Sequence, residues 1–199
     1  MKSIAALAEI RQGMAMAGRA AGVRPGDWPL RVVESADIVD DHVDLDGLRE
    51  VEVKRDSRSE GHLLRPFDVL VTARSQSVKV GLVPPEVTRT VASSTLLVMR
   101  AFDPGAGLGH YLWYYLSSTR GRAEVAARLT TTSLPTLSAR ALGELPLAIP
   151  PVAELRRLVD LIEASEASRA AALEAARIRH DVLRDAIIAA IAAPAAGRK

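Results

Sequence analysis

Between positions 152 and 191 the chain holds neither glycine nor proline, and this run follows directly on the pair Pro150-Pro151. A proline pair is excluded from a helix interior but suits a helix start, where the missing N–H has no intrahelical partner. Ala, Leu, Glu and Arg dominate the run, and all four are strong helix formers. The spacing predicts one continuous helix beginning near Pro151, a rod on the order of 60 Å long at 1.5 Å per residue. Such a rod is longer than a small domain is wide. The chain therefore divides into a domain at 1–150 and a helical segment at 151–199, a layout that suggests recognition and assembly before chemistry.

Along the helix Leu155, Leu158, Ile162, Ala172, Ala176, Leu183 and Ile187 keep an apolar stripe at helical steps, because residues three and four apart share a face. Glu166, Arg169 and His180 sit close to that stripe. A long regular parallel coiled coil needs a purer seam, so a short antiparallel pairing with another helix fits better. The alternative is a helix folded back on its own domain, the common fate of amphipathic helices.

Ahead of the helix the pattern is mostly that of strands. Runs at 28–33 and 36–39, the alternation Glu50-Val51-Glu52-Val53-Lys54, and the apolar runs at 69–74, 78–83 and 94–100 predict sheet, with period two or full burial as the signal. After the turn Asp103-Pro104-Gly105 the period changes, and 109–128 predicts two helices broken around Arg120-Gly121-Arg122, or one bent helix. The segment 130–138 is too polar and β-branched for a helix. Ser138 suits the N-cap of a short helix ending at Gly143, and 145–149 predicts a last strand. The expected class is α+β: a mixed domain with a β-rich centre, followed by a long C-terminal helix that pairs in a coiled-coil-like dimer.

Hydrophobic residues make up 48% of the chain, enough for a packed core. With no cysteine, disulfides and thiolate metal sites are excluded. Glu9 and Arg11 interrupt the first apolar stretch too early for a signal peptide, and no apolar run approaches the roughly 20 residues that cross a bilayer. A cytoplasmic protein is expected. The net charge of +2 is unevenly spread: positions 1–50 carry six Lys/Arg against nine Asp/Glu, and 51–128 carry eleven against seven. The basic middle is compatible with a polyanionic partner, and equally with a solvated surface.

Four stretches carry a resemblance. They are Ala8-Glu9-Ile10-Arg11-Gln12-Gly13, Leu64-Arg65-Pro66-Phe67-Asp68-Val69-Leu70, Ala92-Ser93-Ser94-Thr95-Leu96-Leu97-Val98-Met99-Arg100, and Leu134-Pro135-Thr136-Leu137-Ser138 through Leu145-Pro146-Leu147-Ala148-Ile149-Pro150-Pro151. In their order, and with the domain-then-helix layout, the chain resembles the DNA-specificity (S) subunits of Type I restriction-modification systems, in a half-length form. The resemblance implies a target recognition domain that reads double-stranded DNA. It also implies a spacer helix that docks a DNA adenine methyltransferase, with or without a restriction/motor subunit. A full-length member carries two such domains and two helices, so two copies of this chain would pair through 152–192 to rebuild a bipartite reader. Many relatives have a Gln soon after the Pro-Pro, where Val152-Ala153-Glu154-Leu155 stands here.

DNA reading needs donors that reach base edges and others that hold phosphates. Arg74, Ser75, Gln76 and Lys79 lie between two predicted strands; Arg suits guanine and Gln suits adenine by paired bonds. The hydroxyls of Thr130, Thr131, Thr132 and Thr136 form a second candidate loop, and Arg120, Arg122 and Arg128 are candidate phosphate anchors. Arg55, Arg58 and Arg89 are weaker cases. The plainer readings are a polar hairpin loop and solvated arginines. Tyr111, Trp113, Tyr114 and Tyr115 are spaced as a helical core face more than as a stacking platform.

Chemistry is not expected of this chain. Asp44, Asp46, Glu52 and Lys54 loosely match a metal-dependent nuclease pattern, but alternation in an exposed strand accounts for them. His42, His62, His110 and His180 are scattered without zinc-site spacing, and no phosphate loop or nucleophile elbow appears. No metal or cofactor is expected, and catalysis falls to a partner. The rival reading is a helical adaptor that binds a protein and never contacts DNA.

Overall fold

The computed structural model describes residues 1–16, 27–75, 77–130 and 133–192. The strands are β1 (Lys2–Ser3), β2 (Ala8–Gln12), β3 (Asp27–Val33), β4 (Ile38–Val39), β5 (His42–Val43), β6 (Arg49–Lys54), β7 (Val69–Thr72), β8 (Val80–Leu82), β9 (Thr90–Ala92), β10 (Leu96–Ala101) and β11 (Pro146–Leu147). The helices are α1 (Ser57–Gly61), α2 (Leu108–Ser117), α3 (Thr119–Ala126), α4 (Ala139–Gly143) and α5 (Val152–Ala192). The class is α+β, with multi-stranded sheets followed by a long C-terminal helix. One compact unit runs Met1–Arg156 and a second Arg157–Lys199.

β10 is the axis of the first unit. It pairs antiparallel with β2 on one side and β7 on the other within a six-stranded sheet of order β2-β10-β7-β8-β5-β4. Covered on both faces, it reads as the unbroken apolar run Leu96-Leu97-Val98-Met99 rather than as an alternation. Leu96 and Val98 join Leu70, Val33, Ile38, Leu64 and Val83 in one core. Leu97 and Met99 alternate to the other face, and α2, which buries Leu112, Trp113 and Leu116, packs on β7, β8 and β10.

A three-stranded sheet, β6-β3-β9, encloses a second core of Leu30, Val32, Val53, Val91 and Met14. There the alternation of 50–54 is a real strand, β6. The short pair β1–β11 joins the first residues to the segment ahead of α5.

Several local predictions shift. The helical region breaks at Ser118, not around Arg120-Gly121-Arg122, which lies inside α3. Ser118 is extended and its Oγ accepts from Gly121 N at 3.1 Å, an N-cap that starts the new helix. Gly121 serves close packing instead of a break: a Cβ there would lie 2.1 Å from the Tyr115 carbonyl oxygen. At 35–37 a reciprocal Glu34–Asp37 cap winds a 3-10 turn, leaving only Ile38–Val39 as strand. The last strand is limited to Pro146–Leu147. Of the four aromatics Trp113 is core, Tyr111 and Tyr115 are half-buried, and Tyr114 is exposed.

Pro151 accepts from Glu154 N and Leu155 N at 2.9 and 3.0 Å, so the helix starts where the proline pair predicts. α5 has 41 residues. Leu155 and Ile162 are buried and Leu158 is half-buried, whereas Ala172, Ala176, Leu183 and Ile187 are exposed.

Candidate nucleic-acid interface

Arg74 and Ser75 follow β7 in the connection to β8, and the backbone there is fixed from several sides. Thr72 Oγ1 donates to Ser77 O at 3.2 Å and accepts from Lys79 N at 3.1 Å, closing the base of the loop. Leu137 N donates to Ala73 O at 2.8 Å, and Arg74 forms an isolated antiparallel bridge with Thr136. Thr136 in turn exchanges bonds with Thr130: Thr130 N reaches Thr136 O, and Thr136 N reaches Thr130 Oγ1, both at 3.0 Å. Two loops separated by more than fifty positions in sequence are thus held side by side. Gln76, Thr131 and Thr132 lie outside the described residues.

The cations of this region divide by what they already hold. Arg74 is exposed, and among the described residues its guanidinium has no ion pair. Lys79 Nζ donates to Ser35 O at 2.9 Å and Ile38 O at 3.0 Å, tying the loop to the 3-10 turn before β4. Arg122 pairs with Asp41 and also donates to Ser117 O and Val78 O, at 2.8 and 3.2 Å. Arg120 pairs with Glu124 at 2.9 Å, and Tyr115 OH donates to the other oxygen of that carboxylate at 2.9 Å. Those bonds, from Arg120 first and Tyr115 second, hold the Glu124 carboxyl below its usual range. The bond to Glu124 raises the Arg120 pKa, while burial and then Glu124 raise that of Tyr115. Arg128 donates to the Glu124 carbonyl at 2.8 Å.

The described candidates are thus linked through these bonds, and among them Arg74 is the cation with the most freedom to meet a ligand, while Lys79 and Arg122 are engaged with the chain's own backbone. The sequence reading missed Asp41, the counter-ion of Arg122; Trp113, read as part of a core face, is buried and its Nε1 donates to Asp41 O at 2.6 Å. Asp40 and Asp41 have positive φ, 48° and 67°, and form the two-residue turn between β4 and β5. Acidic residues tolerate that left-handed pair. An Asp-Asp pair between two short apolar runs is the sequence signal that marks it. Among the described residues no group of three or more His, Cys, Asp or Glu side chains is placed to hold a metal ion.

This fold, two larger sheets, the short pair β1–β11 and flanking helices in a unit followed by one long helix, is shared with solved chains of Type I restriction-modification systems. The chain is similar in fold to the HsdS subunit from Thermoanaerobacter tengcongensis, with a TM-score of 0.54 at 19% identity over 85% of this chain and 37% of that one. It is similar also to a chain of a type I R-M system solved for its complex assembly and conformational transition, with a TM-score of 0.62 at 18% identity over 94% of this chain and 42% of that one. The chain therefore spans about 40% of the length of those it matches. No protein-family model and no curated protein matches the sequence. No helix among the described residues is long and apolar enough to cross a membrane.

Proposed function

We propose that this chain is a non-catalytic, cytoplasmic DNA-recognition subunit of a Type I restriction-modification or related phage-defence complex, directing a partner adenine methyltransferase to a bipartite site. The observation that carries the proposal is the fold, shared over 94% of the chain with a protein of a type I R-M system. The pairing of Arg74 with Thr136 supports it locally, because it joins the backbone of an exposed arginine, without an ion pair among the described residues, to a hydroxyl-bearing loop. Arg74 reads a base edge, Thr130 and Thr136 position the backbone, and Arg120 and Arg128 supply positive potential nearby.

α5 supports assembly. Leu183 and Ile187 are 62% and 59% exposed and share a face with Ala172 and Ala176 at steps of four and seven, while Ile178 and Val182 fall on another face. A helix apolar on two sides has more than one partner to cover it. One is a second copy, giving a coiled-coil-like homodimer and hence a two-fold symmetric target. The other is the methyltransferase.

Pull-down of the tagged full chain from its native cells, with identification of the bound proteins, tests the proposal. Recovery of an adenine methyltransferase is expected, and its loss on deleting 157–199. Recovery of unrelated proteins alone, with no DNA binding by the chain, would replace the proposal with the helical adaptor, which the apolar sides of α5 also fit.

A further inference from the structure

Away from the Arg74 loop, charge is out of balance at the start of β7. Arg100 on β10 holds the Asp68 carboxylate with two bonds, Nε to Oδ1 at 2.9 Å and Nη2 to Oδ2 at 2.6 Å. The same carboxylate accepts from Arg65 N at 2.9 Å and is only 2% exposed. It closes the turn Arg65-Pro66-Phe67-Asp68, in which Phe67 has a φ of 66°. Asp68 is thus fully engaged by one arginine and its own turn.

Arg11 on neighbouring β2 is half-buried and lies on the same sheet face, since Arg100 stands opposite Glu9 and Val98 opposite Arg11. Among the described residues its guanidinium has no carboxylate within ion-pair distance. Among the described residues it reaches His62 Nδ1 at 3.3 Å and Leu63 O at 3.4 Å, both long for a hydrogen bond. Burial first, and then the charge of Arg100, lower the Arg11 pKa against the opposing pull of Asp68 and Glu9. Arg65, exposed on the turn and without an ion pair among the described residues, adds a third guanidinium. Against Arg11, Arg65 and Arg100 stand Asp68 and Glu9, which leaves one positive charge over.

A half-buried cation with no carboxylate in direct contact is costly unless something supplies one, and the planar guanidinium fork fits a phosphate. We propose that Arg11 and Arg65 form an oxyanion site that takes one phosphate of the DNA backbone. The single negative charge of a phosphodiester matches the surplus of one. The proposal rests on the DNA-recognition reading but not on the Arg74 loop. Asp68 and Arg74 stand at opposite ends of β7, about 20 Å apart along an extended strand, so the two positions separate by mutation.

The chain has four histidines, and His62 touches Arg11, so its imidazole NMR signals report the site. The full chain is titrated with a duplex selected by the wild type from a random pool, and separately with inorganic phosphate. Expected is a saturable His62 shift with the duplex, abolished in Arg11→Gln and reduced in Arg65→Gln, an exposed change that spares the fold. Each variant should lower the slope of log affinity against log salt by about one, with sequence preference unchanged. Duplex binding that leaves His62 unmoved overturns the site while keeping the DNA reading. If no duplex binds, the phosphodiester assignment falls with that reading. The phosphate titration then decides the rest: an Arg11-dependent shift keeps a site for a free oxyanion, and no shift removes the site altogether.

Discussion

Arg122 on α3 forms an ion pair with Asp41 at the tip of the β4–β5 turn, across eighty-one positions of sequence. Trp113 donates to the carbonyl of the same aspartate at 2.6 Å and packs edge-on against His42 at 4.9 Å between ring centroids. α2 and α3 therefore hold one hairpin from two directions. Arg122 extends the hold to the candidate DNA loop through Val78 O. Arg122→Ala should lower stability by about 1–3 kcal/mol, since charged hydrogen bonds are lost together with packing. A denaturant double-mutant cycle with Asp41→Asn checks that the two act as a pair.

Arg74 and Lys79 should separate in experiment. Arg74→Ala should leave the melting temperature unchanged and relax base preference at one position, costing about 1–3 kcal/mol against the correct base. Lys79→Ala removes two bonds to the chain's own carbonyls. It should lower stability and weaken binding without changing the preferred sequence. Binding-site selection paired with thermal melts reads both.

Asp68→Ala strips the partner from a largely buried Arg100, whose side chain is 18% exposed. Removing one member of such a pair typically costs about 3–5 kcal/mol. Urea denaturation should therefore show Asp68→Ala far less stable than Glu144→Ala, which breaks an exposed pair with Arg140.

On α5, Leu183→Lys combined with Ile187→Lys should abolish self-association measured by light scattering, with the fold of the first unit intact by circular dichroism. Val182→Lys with Ile178→Lys, on the other face, should retain the dimer and lose the methyltransferase. An unchanged mass for the first variant would exclude pairing through that stripe.

Acid sensitivity should trace in part to Asp56 and Glu124. The Asp56 carboxyl is lowered chiefly by the Ser59 backbone N–H that it caps, and Glu124 by Arg120. A depressed carboxyl stabilises the fold above its unfolded pKa, and that contribution is lost as pH falls through the folded value. The stability advantage of wild type over Asp56→Asn and Glu124→Gln should thus hold at neutral pH and shrink below about pH 4. Melting temperature followed against pH gives the comparison.

Much of the fold is legible locally. The proline pair marks the start of α5, the unbroken apolar run at 96–99 marks a strand buried on both faces, and Ser138 caps α4 through its bond to Ala141 N. The break between α2 and α3 was misplaced because glycine is read as a helix breaker, whereas Gly121 is there for the close approach to Tyr115. The candidate site was legible as a set of loops but not as a division of labour. Nothing local distinguishes Arg74, which has no ion pair among the described residues, from Lys79, whose ammonium reaches back to Ser35 and Ile38.

What the sequence determined by itself was the backbone period of each segment, the domain-then-helix layout and which polar side chains the loops carry. Propensity, alternation and capping act over a few residues and are written in order along the chain. What only the tertiary structure decided was which loops meet and which charges are already paired. Arg74 beside Thr136 and Arg122 on Asp41 come from a loop and a helix brought against the sheet, and Arg11 beside an Asp68 already held by Arg100 follows from the strand order β2-β10-β7-β8-β5-β4. That order is set by long-range burial, and a side chain's partner is fixed only when the sheet has brought distant segments within hydrogen-bond reach.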